Sequence, residues 1–238
     1  MARLTLTFDN GPTTETTPQV LDVLGERSML ATFFVVGQRL ASPEALALAQ
    51  RAHAEGHWVG NHSTSHDTPL GLCADPDHAE REICGAQSRL ADAGLVHDDR
   101  LFRPFGGGGR LDRQLLSTAA VDYLMANRYT MVLWDSVPRD WEDPGGWAER
   151  ARRDLEARDH TVLVLHDLPT GAMDRLGDFL DAVTEDGTEV VQDFPDHCVP
   201  LRCGEVRGPI HHLVTVADAE VATTGRRGGA RPTSRRRG

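Results

Sequence analysis

Short β-branched or apolar runs near residues 3–8, 31–36, 57–61, 100–103, 129–134, 161–165 and 188–192 alternate with helical patterns near 17–27, 43–55, 77–94, 111–121, 146–158 and 172–184. Such alternation leaves few folds open. Each helix must carry the chain back across the sheet, so successive strands run parallel and the class is α/β. The 238 residues, 39% hydrophobic, suit one large domain better than two small ones. Ser42-Pro43 and Asp143-Pro144 put a capping residue before proline at helix entrances. Gly56, Gly94 and Gly187 stand where helices call for a left-handed end. Residues 196–224, with Pro200 and Pro209, fall outside the repeating pattern and read as an extension, with a strand expected at 213–217.

Ionisable residues recur where these strands end. Asp9-Asn10-Gly11-Pro12 closes the first run, and His62 and His66 follow Trp58-Val59-Gly60-Asn61. Arg103 follows Leu101-Phe102, Asp140-Trp141 comes soon after the run ending at Trp134, and His166 directly follows Val162-Leu163-Val164-Leu165. Loops at the carboxyl ends of parallel strands are where α/β barrels keep catalytic groups. Singly, each residue has a plain structural explanation. Asn-Gly is a turn signal, Arg103 a surface ion-pair partner, Asp140 a cap and His166 a core histidine. The recurrence itself is harder to explain that way. His62 and His66 are four apart, so one helical turn would set both imidazoles on one side, a two-point metal chelate.

Taken in order, these segments resemble the NodB-type polysaccharide deacetylases, carbohydrate esterase family 4. Thr7-Phe8-Asp9-Asn10-Gly11-Pro12 is similar to the family's T-F-D-D-G-P, and Gly60-Asn61-His62-Ser63-Thr64-Ser65-His66 to its H-[S/T]-x-x-x-H. Arg103-Pro104-Phe105-Gly106-Gly107 is an altered R-P-P-Y-G loop. Asp140-Trp141 and Val162-Leu163-Val164-Leu165-His166-Asp167 match the fourth and fifth motifs. The resemblance spans about Leu4 to residue 195. It implies a distorted (β/α) barrel of about seven parallel strands in a domain over 1–195, and hydrolysis of a non-peptide carbon–nitrogen bond. The substrate implied is an N-acetylated amino sugar.

The resemblance also implies roles. A divalent metal, commonly zinc, is held by His62, His66 and the residue at position 10. That residue is Asn10 here, where the family has an acid. A neutral carbonyl oxygen holds zinc more weakly but leaves the ion more acidic. Asp9 is implied as general base, with Arg103 keeping it ionised, and His166 as general acid oriented and kept charged by Asp140. Trp141 is implied as a wall of the acyl pocket, with Phe105, Gly106 and Gly107 at the substrate mouth. Asp167, Asn61 and Ser63 are expected to support the site. Gly106 to Gly109 could either bring backbone N–H groups close to a ligand or form a loop without a role. Asn10 leaves three outcomes open: a weakened metal site, a metal-independent hydrolase of cyclic amides like the allantoinases, or a non-catalytic carbohydrate-binding relative.

Composition narrows the partners. Lysine is absent, and the net charge of −11 becomes −17 when the six arginines of the 225–238 tail are set aside. An acidic body repels a phosphate backbone, so nucleic acid is not expected as substrate. The Arg/Gly-rich tail reads as disordered. No apolar run approaches the ~20 residues that cross a bilayer. The chain enters its first strand at once, without a secretory n- and h-region, so cytoplasmic work is expected. Cys73, Cys84, Cys198 and Cys203 lack zinc-ribbon spacing and are expected as thiols, a Cys198–Cys203 disulfide being the lesser alternative. Only 5% of residues are aromatic, which favours a small or short substrate over a long sugar groove. The remaining histidines, His53, His57, His78, His97, His160, His197, His211 and His212, are read as structural.

Overall fold

The computed structural model describes residues 2–215. The 225–238 tail and the last part of the extension lie outside the described residues. In chain order the structure runs β1 (Arg3–Asp9), α1 (Thr17–Glu26), β2 (Thr32–Val35), α2 (Pro43–Ala54), β3 (Trp58–Asn61) and α3 (His78–Asp92). It continues through β4 (Leu101–Phe102), β5 (Leu116–Ser117), α4 (Thr118–Ala126), β6 (Thr130–Met131), α5 (Trp147–Glu156) and β7 (His160–His166). Last come α6 (Leu176–Glu185), β8 (Glu189–Val191), β9 (Leu201–Arg202), β10 (Glu205–Val206) and β11 (Val214–Thr215).

All seven expected parallel strands form, and β1 pairs with three of the others. It pairs along its full length with β7 on one edge, and on the other with β2 through Thr7–Asp9 and β8 through Arg3–Thr5. From β2 the parallel ladder continues through β3 and β4 to β6. The sheet curls, and the segment after β6 approaches β7 from its free side. There the Asp135 and Ser136 N–H groups donate to Val162 O, and Val164 N–H donates to Ser136 O at 2.9 Å.

Strand alternation sorts the side chains into two cores. Leu4, Leu6 and Phe8 of β1 and Leu163 and Leu165 of β7 face outward, packing with Val20, Leu24, Trp147 and Phe179 of the helices. Val162 and Val164 belong to the inner core with Phe34, Phe102 and Trp134. Period-2 alternation then aims Thr7, Asp9 and His166 inward as well.

Three features depart from the sequence expectation. The helix expected over 111–121 begins later, at Thr118. Asp112 Oδ1 accepts the Gln114 N–H at 3.0 Å, a local turn that competes with a helical start, and Ser117 Oγ accepts the Ala120 N–H at 3.1 Å as the true N-cap. The extension adds the antiparallel strands β9 and β10 at the β6 edge, making the sheet mixed. β5 and β11 form a separate two-stranded parallel sheet, so the strand expected at 213–217 is seen as Val214–Thr215 within the described residues. Ser42 does cap α2, accepting the Ala45 N–H at 3.4 Å, and Gly56, Gly94 and Gly187 take φ of 94°, 72° and 85°. The four cysteines are free thiols, so the Cys198–Cys203 disulfide does not form. Among the described residues no helix is long and apolar enough to cross a membrane.

Candidate active site

In the β1–β7 ladder Asp9 is the register partner of His166. Neighbouring strands lie about 4.8 Å apart and register partners face the same side. Strand pairing alone therefore brings these two residues to one rim of the barrel.

Arg103, the residue after β4, is fully buried (0% exposed). Its Nη1 donates to Asp9 Oδ1 at 2.9 Å and Thr7 Oγ1 at 2.7 Å, and its Nε and Nη2 reach Val132 O and Leu133 O at 3.3 and 3.2 Å. A buried charge is tolerated when it is paired and hydrogen-bonded in this way. The guanidinium also lies over the Phe34 ring, 4.1 Å from its centroid. That ring fills the space a side chain at Gly60 would need, since a Cβ there would stand 2.7 Å from it. Glycine on β3 thus makes room for the shelf under Arg103.

His62 and His66 meet by a different route from the expected helical turn. Their segment is an irregular loop in which Ser63 and His66 take φ of 67° and 59°, and the ring centroids lie 5.0 Å apart. His62 Nδ1–H donates to Arg103 O at 2.9 Å, leaving Nε2 as a lone-pair donor 3.6 Å from Asp9 Oδ2. Asn61 holds the loop as expected, donating to Ile83 O at 2.9 Å and accepting the Ser63 N–H at 2.9 Å. The Ser63 hydroxyl, expected to support the site, is buried without a partner. Asp167 acts one step away. It accepts from the Thr17 hydroxyl, its carbonyl accepts from Thr13 Oγ1 at 2.7 Å, and its carboxylate lies against Gly11 of the Asp9-Asn10 loop. Burial pushes its pKa up to about 6.

Sequence reading missed Glu82. From α3 its carboxylate accepts the Thr64 N–H (3.1 Å), the Ser65 N–H (2.9 Å) and the Ser65 hydroxyl (3.0 Å), clamping the loop between the two histidines. The signal was present. Glu82 shares the helical face of Ala79, Ile83, Ala86 and Leu90, all buried, and an acid on an apolar face needs partners. We expect Glu82→Ala to weaken metal binding about 10–100-fold, the usual effect of losing a ligand-supporting contact. Metal titration of folded protein reads this, and unchanged affinity would show that the clamp is dispensable.

The electrostatics separate the two inward residues. Burial raises the Asp9 pKa, but Arg103, His62 and His166 outweigh it and hold the carboxyl below its ordinary value. His166 moves the other way. Burial disfavours its charge, yet Asp140 prevails, accepting its Nδ1–H at 2.8 Å and its backbone N–H at 2.9 Å, and the imidazole pKa is raised. His62 is lowered by burial, and His66 is pushed down to about 3 by burial and by His62. Both therefore stay neutral at physiological pH, with ring nitrogens free to ligate.

Asn10 has φ of 73°, a left-handed conformation asparagine tolerates, and its Oδ1 is buried without a hydrogen-bond partner. Leaving such an atom unpaired costs about 1–3 kcal/mol. Asn10 lines the same cavity as the two neutral imidazoles, so its orphaned oxygen and their ring nitrogens are the donor types that could hold a divalent metal with a position left open.

These groups line a cavity of about 460 Å³, within the usual size range of small-ligand sites. Phe105 stacks on His66 with centroids 3.9 Å apart, and Trp141 meets the His166 ring edge-on at 4.7 Å. Gly106 to Gly109 form one wall. The Gly107 N–H is already donated to Gln114 Oε1 at 2.8 Å, so it is not free for a ligand. Gly109 shapes the wall instead: its φ is 72°, and a Cβ there would stand 2.8 Å from Val137. Trp134 Nε1–H donates to Gly109 O at 2.8 Å, fixing the loop to the barrel.

Comparison with known proteins gives this constellation a context. The profile of the polysaccharide deacetylases matches residues 2–124. A chitooligosaccharide deacetylase of Sinorhizobium fredii is 36% identical over 163 residues, covering 68% of this chain and 70% of that protein. The peptidoglycan-N-acetylmuramic acid deacetylase of Bacillus subtilis is 31% identical over 189 residues, 79% of this chain but only 37% of that longer protein. A family 4 acetyl xylan esterase from Clostridium thermocellum, solved in complex with a cobalt ion, superposes with a TM-score of 0.64 at 27% identity, covering 79% of this chain and 86% of that one. The curled mixed sheet, the ordered strand-end motifs and these similarities together show that the chain belongs to the polysaccharide deacetylase family.

Proposed function

We propose that this protein removes the acetyl group from an N-acetylated amino sugar in a short glycan, using a divalent transition metal held by Asn10, His62 and His66. The observation that carries this reading is the oppositely tuned pair on adjacent strands, with the Asp9 carboxyl held below its ordinary pKa beside a His166 imidazole raised above its own. A general base and a general acid in one cavity are what amide hydrolysis requires. The two curated relatives, one named for chitooligosaccharide and one for peptidoglycan N-acetylmuramic acid, support an amino-sugar substrate.

When bound, a divalent ion supplies Lewis acidity, polarising the amide carbonyl and making an attacking water more acidic. Asp9 takes the proton of that water as its oxygen bonds to the carbonyl carbon. Arg103 keeps Asp9 ionised beforehand and fixes its Oδ1, so the other oxygen faces the cavity. As the carbon–nitrogen bond breaks, His166 gives its proton to the departing nitrogen. Acetic acid and a free amine result, the acid's remaining proton passes to the amine or to solvent to leave acetate, and the proton on Asp9 is available to restore His166. Asp140 holds the imidazolium in place, and Trp141 restricts its rotation.

Two experiments test the reading. The first is acetate release from short chitooligosaccharides, followed against metal content. Asn10→Asp is expected to tighten metal binding on the order of tenfold, because a charged ligand replaces a neutral one. A wild-type protein that hydrolyses the acetamide equally well with and without chelator would overturn metal dependence and bring forward the cyclic-amide reading. The second is the pH profile. Its alkaline limb follows deprotonation of His166, whose pKa is raised chiefly through Asp140. Asp140→Asn removes that charge, so the limb is expected to move toward acid by about 1–3 pH units. An unmoved limb would remove His166 from the acid role.

A further inference from the structure

Where the C-terminal extension meets the barrel, three donor atoms converge away from the cavity. His197 Nε2 lies 2.9 Å from Asp135 Oδ1, and Cys198 Sγ lies 3.3 Å from Asp135 Oδ2. All three ligand atoms lie within 4.8 Å of one another. Bond lengths of about 2.0–2.3 Å to nitrogen, oxygen and sulfur place the corners of a tetrahedral zinc site about 3.3–3.6 Å apart. To close around an ion, the histidine–carboxylate edge must open slightly from 2.9 Å and the histidine–cysteine edge, at most 4.8 Å, must draw in. Asp135 sits by Val162, whose N–H donates to its Oδ2 at 2.9 Å, toward the amino-terminal end of β7. His166 lies four residues farther along that strand, about 13 Å away at 3.3 Å per residue.

We infer that Asp135, His197 and Cys198 form a second metal site, for zinc or another borderline divalent ion, that ties the extension to the barrel. The donor set points to that class of ion. A thiolate and an imidazole favour zinc or cobalt over magnesium or calcium, which prefer oxygen. The surroundings suit a structural site. The Asp135 side chain is 7% exposed and is steadied by Val162 N–H and by Arg158 Nε at 3.3 Å, while Cys198 is 1% exposed. The His197 side chain, 56% exposed, gives the ion a path in and leaves a fourth corner for water.

Without an ion, burial and Asp135 hold the Cys198 thiol protonated, so it serves as a donor to the carboxylate. Binding replaces the thiol proton, which leaves to solvent. The His197 Nε2 hydrogen moves to Nδ1, so that Nε2 presents a lone pair. One proton is thus released per ion bound.

Cobalt(II) titration of the full-length protein tests the site, because a cysteine thiolate bound to cobalt gives a near-ultraviolet charge-transfer absorption that histidine and carboxylate ligands do not. No cysteine lines the active-site cavity, so cobalt bound there is silent in this readout. The band is expected in wild type and in His62→Ala/His66→Ala, and in the latter, where the active-site ligands are removed, it saturates at one equivalent with release of one proton. It is expected to vanish in Cys198→Ser and in His197→Ala, the latter altering only an exposed ring, and to persist in Cys203→Ser. Absence of the band at saturating cobalt, or its survival in Cys198→Ser or His197→Ala, would overturn the assignment.

Discussion

Asp9→Asn is expected to reduce kcat for deacetylation by about 10²–10⁴-fold, the usual contribution of a positioned general base. The substitution preserves shape, and the asparagine oxygen can still accept from Arg103, so the fold should survive. Asp9 is not among the proposed metal ligands, so metal content should hold near that of wild type. That combination separates loss of a base from loss of a site. Steady-state acetate release, read together with metal content, checks it. A variant that keeps metal and near-native turnover would mean that some other group takes the proton of the attacking water.

Arg103→Met is expected to produce the largest loss of stability, about 3–5 kcal/mol, because it removes one partner of a buried ion pair and strands the other. The methionine fills much of the volume over Phe34, so the loss reports charge more than cavity. The pH dependence supplies a sharper test. In the native protein Asp9 lies below its ordinary value of 3.8, so it adds stability above that pH, lost as the pH falls through the lower folded value. Arg103 is the foremost of the groups that lower it, so without Arg103 the folded pKa is expected to rise. Ionised Asp9 then contributes less to stability than it does in wild type as pH climbs. The gap between wild type and variant should therefore widen from acid toward neutral pH in urea unfolding. A gap that stays constant would assign Arg103 a packing role instead.

How much of this was legible beforehand depended on whether one residue's neighbours in sequence were also its neighbours in space. The seven parallel strands were readable because each is a continuous apolar run between helical patterns. Asp9, His62, Arg103, Asp140 and His166 were readable because each directly or closely follows such a run. The late start of α4 was not, since it depends on Ser117 capping in preference to Asp112. The geometry of His62 and His66 was misread for a similar reason. Four-residue spacing suggested a helix, but Glu82 on α3 and the left-handed Ser63 impose a loop, in which the two ring centroids still lie 5.0 Å apart. The four glycines could not be interpreted alone, because the partner that takes the Gly107 N–H, Gln114, lies in a turn whose shape was itself unpredicted. The orphaned Asn10 oxygen also lay beyond sequence, where the neutral residue registered only as a weakened ligand.

The full-length β1–β7 ladder has a consequence for how the chain comes to work. Asp9 and His166 are 157 positions apart in the chain, yet they are partners in one ladder. Bringing such distant segments together carries a loop-closure entropy that intervening contacts must offset. A nascent or truncated polypeptide ending near residue 124 would already hold Asp9, Asn10, both histidines and Arg103, the same stretch the family profile matches. It would still lack His166, the proposed proton donor. During synthesis, competence should therefore arrive in a single late step, when the seventh strand seats beside the first, with no partly active species preceding it.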